Sequence, residues 1–138
     1  MRYVLTGSSG YIGSRLARCL LNTENRVVGI DRVSAIVPGL DASIQADILD
    51  GDSFDGAFDG VDCILHLAAA KGDWGISKDE YYRDNLDATR AVIDAGRKAG
   101  VKDWVFYSTV SVLGPNYESV GEEASFNPIN PYGASKAE

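Results

Sequence analysis

Three glycines stand where the first apolar run of the chain gives way to a helical pattern. The run Arg2–Thr6 is typical of a short buried strand. Gly7, Gly10 and Gly13 follow it with the spacing G-x-x-G-x-x-G, and Tyr11–Leu21 then shows apolar residues at helical spacing. A helix that begins directly after a glycine turn directs unpaired N–H groups and its positive end toward one point. We therefore expect a strand–turn–helix unit that can hold an anionic group.

The rest of the chain alternates between strand-like and helix-like segments. The predicted strands are Arg2–Thr6, Arg26–Asp31, Ser43–Asp47, Val61–Ala69 and Lys102–Ser108, and the predicted helices are Tyr11–Leu21, Lys78–Ala99 and a last one that starts at Pro131. Strands that alternate with helices form βαβ units, in which the strands are parallel and the crossovers right-handed. We predict an α/β fold, a doubly wound parallel sheet of the Rossmann-like type with about five strands.

Asp31 ends the second predicted strand, eighteen residues after Gly13. At this place a carboxylate can accept the ribose hydroxyls of an adenosine and repels a 2′-phosphate. The glycine loop suits the same ligand, because Gly7 allows a tight turn, Gly10 lets backbone approach a pyrophosphate and Gly13 lets helix and strand pack closely. The sequence thus predicts a bound dinucleotide, with NAD favoured. Arg32 could ease a 2′-phosphate, which leaves NADP as the less favoured cofactor.

Charge and hydropathy exclude several classes of protein. The 138 residues carry a formal net charge of −7, without a basic stripe that could neutralise nucleic-acid phosphates. No apolar run approaches the ~18 residues of a membrane span, and the amino-terminal stretch is too short for a signal peptide. Cys19 and Cys63 lie in apolar runs without metal-ligand spacing, so we expect two buried thiols and no metal site. We expect a cytoplasmic protein with no nucleic-acid or membrane partner.

Tyr132 and Lys136 stand four residues apart in the last predicted helix, so their side chains share one face. A tyrosine ordinarily titrates near pH ~10, and a neighbouring ammonium group stabilises its phenolate in a partly desolvated site. The two residues could form an acid/base pair, and a surface helix with a solvated lysine is the alternative. Thr109 follows the fifth predicted strand, at the sheet edge where ligands of open α/β folds bind.

These motifs occur in the order seen in a known family. The matching segments are Thr6–Gly13 (TGSSGYIG), Asp47-Ile48, His66–Ala70 (HLAAA), Asn85, Ser108–Gly114 (STVSVLG) and Pro128–Lys136 with its Y-x-x-x-K motif. Over the whole chain they resemble the extended short-chain dehydrogenase/reductases of the NAD-dependent epimerase/dehydratase family, which act largely on nucleotide sugars. Within that family they resemble the N-terminal part of UDP-glucose 4-epimerase-like proteins.

The resemblance implies a role for each segment. It assigns catalysis to Tyr132, Lys136 and Thr109, with hydride transfer between a sugar carbon and the nicotinamide while Tyr132 moves the hydroxyl proton. The residues that it places against the cofactor are Gly7, Ser9, Gly10, Tyr11, Ile12, Gly13, Asp31, Arg32, Asp47, Ile48, Leu67, Ala68, Ala69, Lys71, Asn85, Tyr132 and Lys136.

Four residues near these motifs have a structural interpretation as well. Asn85 lies on an otherwise apolar helical stripe, as a core asparagine or as a cofactor contact. Lys71 could neutralise pyrophosphate charge or be a solvated loop lysine. His66, in a near-continuous apolar run, is expected to be structural. Trp74 could either wall off the substrate or cap the core.

Two departures from the family pattern narrow the reaction. Sugar dehydratases of this family carry an Asp-Glu pair after the threonine, where this chain has Val110 and Ser111. Because these side chains cannot transfer protons in that way, elimination is not expected. A reversible oxidation at a carbinol carbon remains, by an epimerase or a simple dehydrogenase/reductase. The substrate is expected to be a nucleotide sugar, and a non-sugar alcohol is the alternative substrate. A non-catalytic NAD(P)-binding regulator is the alternative function.

The length of the chain bears on its domain organisation. A doubly wound dinucleotide fold has six strands, and five are predicted before Glu138. We expect residues 1–138 to be an NAD(P)-binding Rossmann domain, truncated after about five strands, without the later strands and the substrate lobe of the family. Alone, such a chain would bind cofactor at best. A homodimer is possible through the helices that follow the fourth and fifth strands.

Overall fold

The computed structural model describes residues 1–54, 56–72, 74–115 and 119–138, without the side chain of Asp52. Within these residues the strands β1 to β5 are Arg2–Thr6, Arg26–Asp31, Ala42–Gln45, Cys63–His66 and Asp103–Phe106. The helices α1 to α4 are Tyr11–Leu21, Lys78–Tyr81, Ala88–Lys98 and Pro131–Ala137. A π-helical segment, Tyr82–Asp87, lies between α2 and α3, and short 3₁₀ turns comprise Gly51–Phe54 and Val110–Val112.

The chain divides into two compact units. The sheet unit consists of Met1–Ala68 and Ala88–Tyr107, and it holds β1 to β5, α1 and α3. The helical unit consists of Ala69–Asp87 and Ser108–Glu138, and it holds α2, the π-helical segment and α4.

The five described strands of the sheet unit form one parallel sheet in the order β3-β2-β1-β4-β5. β1 lies between β2 and β4, with Thr6 opposite Ile30 on one side and His66 on the other. The strand order reverses at β1, so the carboxyl ends of β1, β2 and β4 meet where open α/β sheets bind ligands. The predicted doubly wound parallel sheet is confirmed.

Side chains alternate between the two faces of the sheet, and each face has its own core. Below α3 lie Val4, Val28 and Ile64, and below α1 lie Leu5, Val27 and Leu65. Full burial of an aliphatic side chain contributes about 1.5–3 kcal/mol, so these six residues supply a large part of the unit's stability. Gly96 lets α3 approach the sheet, because a Cβ there would collide with the ring of Trp104.

The buried face of α1 differs from the predicted one. The apolar stripe predicts a buried Cys19, but Cys19 is exposed and only Cys63 is buried. The helix instead buries Gly13, Ser14 and Ala17. Small residues on this face let α1 lie close to the sheet, and the larger apolar side chains are then displaced to its flanks.

The single helix predicted for Lys78–Ala99 is also different in the structure, which has α2, the π-helical segment and α3 in its place. A π-helical turn contains more residues than an α-helical turn, so the residues facing inward are shifted. Tyr81 and Ala88 are buried where the α-helical stripe predicts Tyr82 and Thr89, which are half-buried.

Several predicted strand boundaries differ in the structure. β3 starts one residue earlier than predicted, at Ala42, and ends at Gln45, while β4 (Cys63–His66) and β5 (Asp103–Phe106) are shorter than predicted at both ends. In the predicted loop Val110–Asn130, residues 110–112 form a 3₁₀ turn and residues 116–118 lie outside the described residues. In the described ranges no helix is long and apolar enough to cross a membrane, and no cluster of His, Cys, Asp or Glu could hold a metal ion.

Candidate functional site

The turn between β1 and α1 depends on close backbone contacts that only glycine permits. Gly7 has a φ of 70°, and a Cβ there would stand 2.8 Å from the backbone nitrogen of Ala68. A Cβ at Gly13 would collide with the carbonyl group of Gly7. Among the described residues, a Cβ at Gly10 would come within 4 Å of one atom only, the carbonyl oxygen of Gly7 at 3.2 Å. The turn is therefore closed toward the sheet and open at Gly10, as the approach of a pyrophosphate requires.

The amino end of α1 has the properties of an anion site. Gly10 is its N-cap, and no side-chain cap bond to the first turn is found in the described part of the chain. The first turn also holds no acidic residue. The first N–H groups of a helix have no partner within it, so a phosphate can accept from them. Tyr11 and Ile12 are 76% and 55% exposed beside this end.

The carboxylate of Asp31 is oriented by two backbone N–H groups. Oδ2 accepts from Ser9 at 2.9 Å, and Oδ1 accepts from Val33 at 3.1 Å. The first bond joins the end of β2 to the glycine turn. Each carboxylate oxygen can accept more than one hydrogen bond, so Asp31 keeps the capacity to bind ribose hydroxyls.

Arg32 and Asp47 form an ion pair at the ends of β2 and β3. Nη2 of Arg32 lies 3.1 Å from Oδ2 and 3.2 Å from Oδ1 of Asp47. Oδ1 of Asp47 also accepts the N–H of Leu49 at 3.0 Å. Ile48 is 7% exposed and belongs to the hydrophobic core, so its side chain is a packing residue in this structure.

His66 is buried and bonded at both ring nitrogens. Nδ1 lies 2.7 Å from Oγ1 of Thr6, and Nε2 lies 2.9 Å from Oγ1 of Thr89. The ring also stacks with Phe106 at 5.9 Å between centroids. Oγ1 of Thr6 accepts the N–H of Ala68 at 3.2 Å, which fixes the backbone that follows Leu67. These contacts agree with the structural role expected for His66.

In the helical unit, α4 begins as its sequence predicts. Asn130 is the N-cap and accepts the N–H of Gly133 through Oδ1 at 2.7 Å, and Pro131 occupies the first turn. A Cβ at Gly133 would collide with the carbonyl oxygen of Ser111, so the turn Val110–Val112 packs directly on α4.

Lys136 is only 6% exposed, and Tyr132 on the same helix is half-buried. Burial lowers the pKa of Lys136 to about 8, because desolvation disfavours the charged ammonium. At neutral pH most of the lysine remains protonated. The structure thus excludes the solvated surface lysine that was the alternative for this position.

Thr109 caps the turn that packs on α4. Its Oγ1 accepts the N–H of Ser111 at 3.2 Å, and its own O–H remains a hydrogen-bond donor. Val110, which occupies the place of the dehydratase acid, is 81% exposed.

Asn85 lies in the π-helical segment and is 1% exposed. Its amide bonds both backbone groups of Ala70 and the hydroxyl of Ser135. Ala69 and Lys71 flank Ala70 in the same loop, and both are exposed. Trp74 is 93% exposed and so does not cap the core.

The predicted site residues fall into two sets. The sheet unit brings together the glycine turn, Asp31 and the Arg32–Asp47 pair, and the helical unit holds Tyr132, Lys136, Asn85 and Thr109. Sequence analysis missed Ser135, which bonds Asn85, and Tyr81, whose ring lies near that of Tyr132. The signal that could have pointed to this region is the capping box Ser77-x-x-Glu80, which the structure shows at the start of α2.

A parallel sheet whose first turn is glycine-rich and whose second strand ends in an oriented carboxylate defines a Rossmann-like α/β protein. The sequence model of the NAD dependent epimerase/dehydratase family matches residues 3–138. The chain belongs to this family.

Three similar proteins illustrate the relationship. UDP-glucose 4-epimerase of Streptomyces lividans is 37% identical over 98% of this chain and 44% of its own length. 3 beta-hydroxysteroid dehydrogenase/Delta 5-->4-isomerase of Mycobacterium tuberculosis (strain CDC 1551 / Oshkosh) is 34% identical over 81% of this chain and 32% of its own. The structure of MoeE5 in complex with UDP-glucose and NAD superposes with a TM-score of 0.87, at 31% identity over 99% of this chain and 46% of that one. The chain thus spans less than half the length of these relatives.

Proposed function

We propose that the full-length protein is an NAD-dependent epimerase or oxidoreductase of a nucleotide sugar. The observation that carries this proposal is the 37% identity with a UDP-glucose 4-epimerase over 98% of the chain. The Tyr132-x-x-x-Lys136 motif lies on one described helix, α4, which supports it. In this proposal, residues 1–138 supply the NAD-binding Rossmann part, and the remaining substrate-binding elements belong to sequence that the longer relatives contain.

The residues of the sheet unit fit a bound NAD. The open side of Gly10 and the amino end of α1 would take the pyrophosphate, and Asp31 would take the adenosine ribose. A negative charge at Asp31 opposes a 2′-phosphate, and Arg32 already pairs with Asp47. Both features favour NAD over NADP. When bound, NAD supplies the hydride acceptor.

The residues of the helical unit would transfer the proton of the substrate hydroxyl. Tyr132, as phenolate, would accept the proton of a substrate hydroxyl, and the Lys136 ammonium would stabilise the negative charge. Thr109 would donate its O–H to the substrate oxygen. Because Val110 and Ser111 offer no acid/base pair, the proposed reaction is oxidation of a carbinol carbon, followed in an epimerase by return of both the hydride and the proton, and not removal of water.

Tyr132→Phe in the full-length protein tests this proposal. We expect wild-type protein to interconvert UDP-glucose and UDP-galactose, and the variant to lose turnover by at least about 100-fold, since general acid–base catalysis typically contributes 10²–10⁴-fold. Tyr3→Phe is a matched control, because the Tyr3 hydroxyl only meets Sδ of Met1 at an exposed site. Turnover of Tyr132→Phe equal to that of Tyr3→Phe would refute the role of Tyr132.

A second candidate is a dehydrogenase of a non-sugar alcohol. The 34% identity with the hydroxysteroid dehydrogenase over 81% of this chain favours it. The same residues would then act on a secondary hydroxyl of an apolar substrate. NADH formation from a 3β-hydroxysteroid, without turnover of any UDP-sugar, would select this candidate over the first.

A further inference from the structure

In the helical unit, the amide of Asn85 joins the π-helical segment to the loop that contains Ala70. Oδ1 of Asn85 accepts the N–H of Ala70 at 2.6 Å, and Nδ2 donates to the carbonyl oxygen of Ala70 at 3.1 Å. Nδ2 also donates to Oγ of Ser135 in α4 at 2.9 Å. Since Asn85 is 1% exposed, water cannot readily replace these bonds, and each partner is held in place.

Tyr81 connects the same loop and the same helix at a second point. Its hydroxyl donates to the carbonyl oxygen of Gly72. Its ring lies 6.1 Å from the ring of Tyr132, with an angle of 49° between the planes. The backbone is therefore bonded on both sides of Lys71, at Ala70 by Asn85 and at Gly72 by Tyr81.

Ser135 transmits the contact with Asn85 to the first turn of α4. It is 3% exposed, and its Oγ donates to the carbonyl oxygen of Tyr132 at 2.9 Å while it accepts from Asn85. Ser135 precedes Lys136 and follows Tyr132 by three residues. A rotation of this turn would therefore move both the tyrosine and the lysine.

We propose that Asn85 and Ser135 are positioning residues, whose hydrogen bond fixes the turn of α4 that carries Tyr132 and Lys136 relative to the loop at Ala70. The inference rests on the proposed function, which makes Tyr132 the proton-transfer group. Asn85 acts here through Ser135 and not by contact with the substrate. A misplacement of the reacting group by a fraction of an ångström lowers kcat more than it changes KM, because the loss occurs in the transition state.

Ser135→Ala in the full-length protein removes this bond with little change in volume. We expect kcat for UDP-glucose to fall about tenfold with KM changed less than about twofold. Ser135→Thr keeps the hydroxyl and should restore most of kcat. Wild-type kcat in Ser135→Ala, or a Ser135→Thr variant as slow as Ser135→Ala, would overturn the proposal.

Ser53→Ala is the matched control. Ser53 lies in the 3₁₀ turn Gly51–Phe54, and its Oγ also donates to the carbonyl oxygen three residues earlier, that of Asp50, at 2.6 Å. No bond to a side chain comparable to Asn85 is found for Ser53 in the described part of the chain. Its kcat should stay near that of the wild type. An equal loss in both variants would make the effect a general one of removing a serine hydroxyl that bonds its own turn, and would contradict the assigned role.

Hydrogen–deuterium exchange of the same variants decides the structural part without turnover. In Ser135→Ala the amides of residues 131–137 should exchange at least about threefold faster, because the first turn has lost a bond that restrains it, while the amides of α1 are unchanged. Equal exchange in wild type and Ser135→Ala would overturn the inference. If Tyr132→Phe is fully active but α4 exchanges faster in Ser135→Ala, the proposed function fails and the structural restraint remains.

Discussion

Arg32, which follows Asp31 in the sequence, forms an ion pair with Asp47 at 3.1 Å. The two side chains are 47% and 30% exposed, so the pair contributes at most about 1 kcal/mol to stability. Its larger effect is on local charge. An arginine that is paired with a carboxylate attracts a 2′-phosphate less than an unpaired arginine would.

Asp47→Asn is therefore expected to shift the cofactor preference toward NADP. The substitution removes one negative charge that lies beside the Arg32 guanidinium. We expect the ratio of the Kd for NADP to the Kd for NAD to fall about fivefold, which corresponds to ~1 kcal/mol for one partly exposed charge pair. Calorimetric titration of the full-length protein with each cofactor, at one low ionic strength, measures this ratio.

Asp41→Asn is the control for this experiment. Asp41 pairs with Arg26 at 2.7 Å, at the opposite ends of the same two strands, so the variant has the same change in net charge. Its ratio of dissociation constants should equal that of the wild type. An unchanged ratio in Asp47→Asn, or the same shift in Asp41→Asn, would show that the Arg32–Asp47 pair does not set the preference.

Gly13→Ala tests the packing of the glycine turn. The added methyl group would collide with the carbonyl group of Gly7, where only backbone could give way. We expect a loss of about 1–3 kcal/mol in the free energy of unfolding, together with weakened NAD binding. Gly51→Ala is the control, since a Cβ there would meet no heavy atom of the described residues within 4 Å, its two chain neighbours aside. Equal free energies of unfolding in urea for the two variants would contradict this account of the turn.

How much of the fold could be predicted depends on how local the determining signal is. β1, α1 and β2 have the predicted bounds, because the glycine turn and the apolar period lie within the segments themselves. The buried face of α1 was wrong at Cys19, because it is set by how closely the helix approaches the sheet. That distance depends on Gly13, Ser14 and Ala17 acting against residues far away in sequence.

The candidate site shows the same limit. The family resemblance predicted Tyr132, Lys136 and Asn85 as members of one set, but not the bond from Asn85 to Ser135. That bond depends on the π-helical segment Tyr82–Asp87, whose extra residue breaks the period of 3.6 from which helix faces are predicted. The sequence contains no signal for such a break, so Tyr82 and Thr89 were predicted to face inward in place of Tyr81 and Ala88.

Lys136 makes stability depend on pH in a defined window. Burial lowers its pKa to about 8 in the folded protein from an ordinary value of 10.5. Between these two values the unfolded chain binds more protons than the folded one, so the contribution of Lys136 to the free energy of unfolding rises with pH. Below pH 8 both states carry the proton, and burial of the ammonium costs roughly 3 kcal/mol relative to the neutral amine, from about 1.4 kcal/mol per unit of pKa.

Lys136→Met should remove this dependence while it keeps the length of the side chain. We expect the variant to be more stable than wild type by roughly 2–3 kcal/mol at pH 7, and the difference to shrink from about pH 8 to about pH 10.5, above which the lysine becomes neutral in both states. Urea unfolding of both proteins at one-unit steps of pH gives the difference directly, and all other titrations cancel in it. Lys102→Met, at an exposed position, should give a difference that does not vary with pH. A constant difference for Lys136→Met from pH 7 to pH 10 would mean that the ammonium of Lys136 is not desolvated in the folded protein.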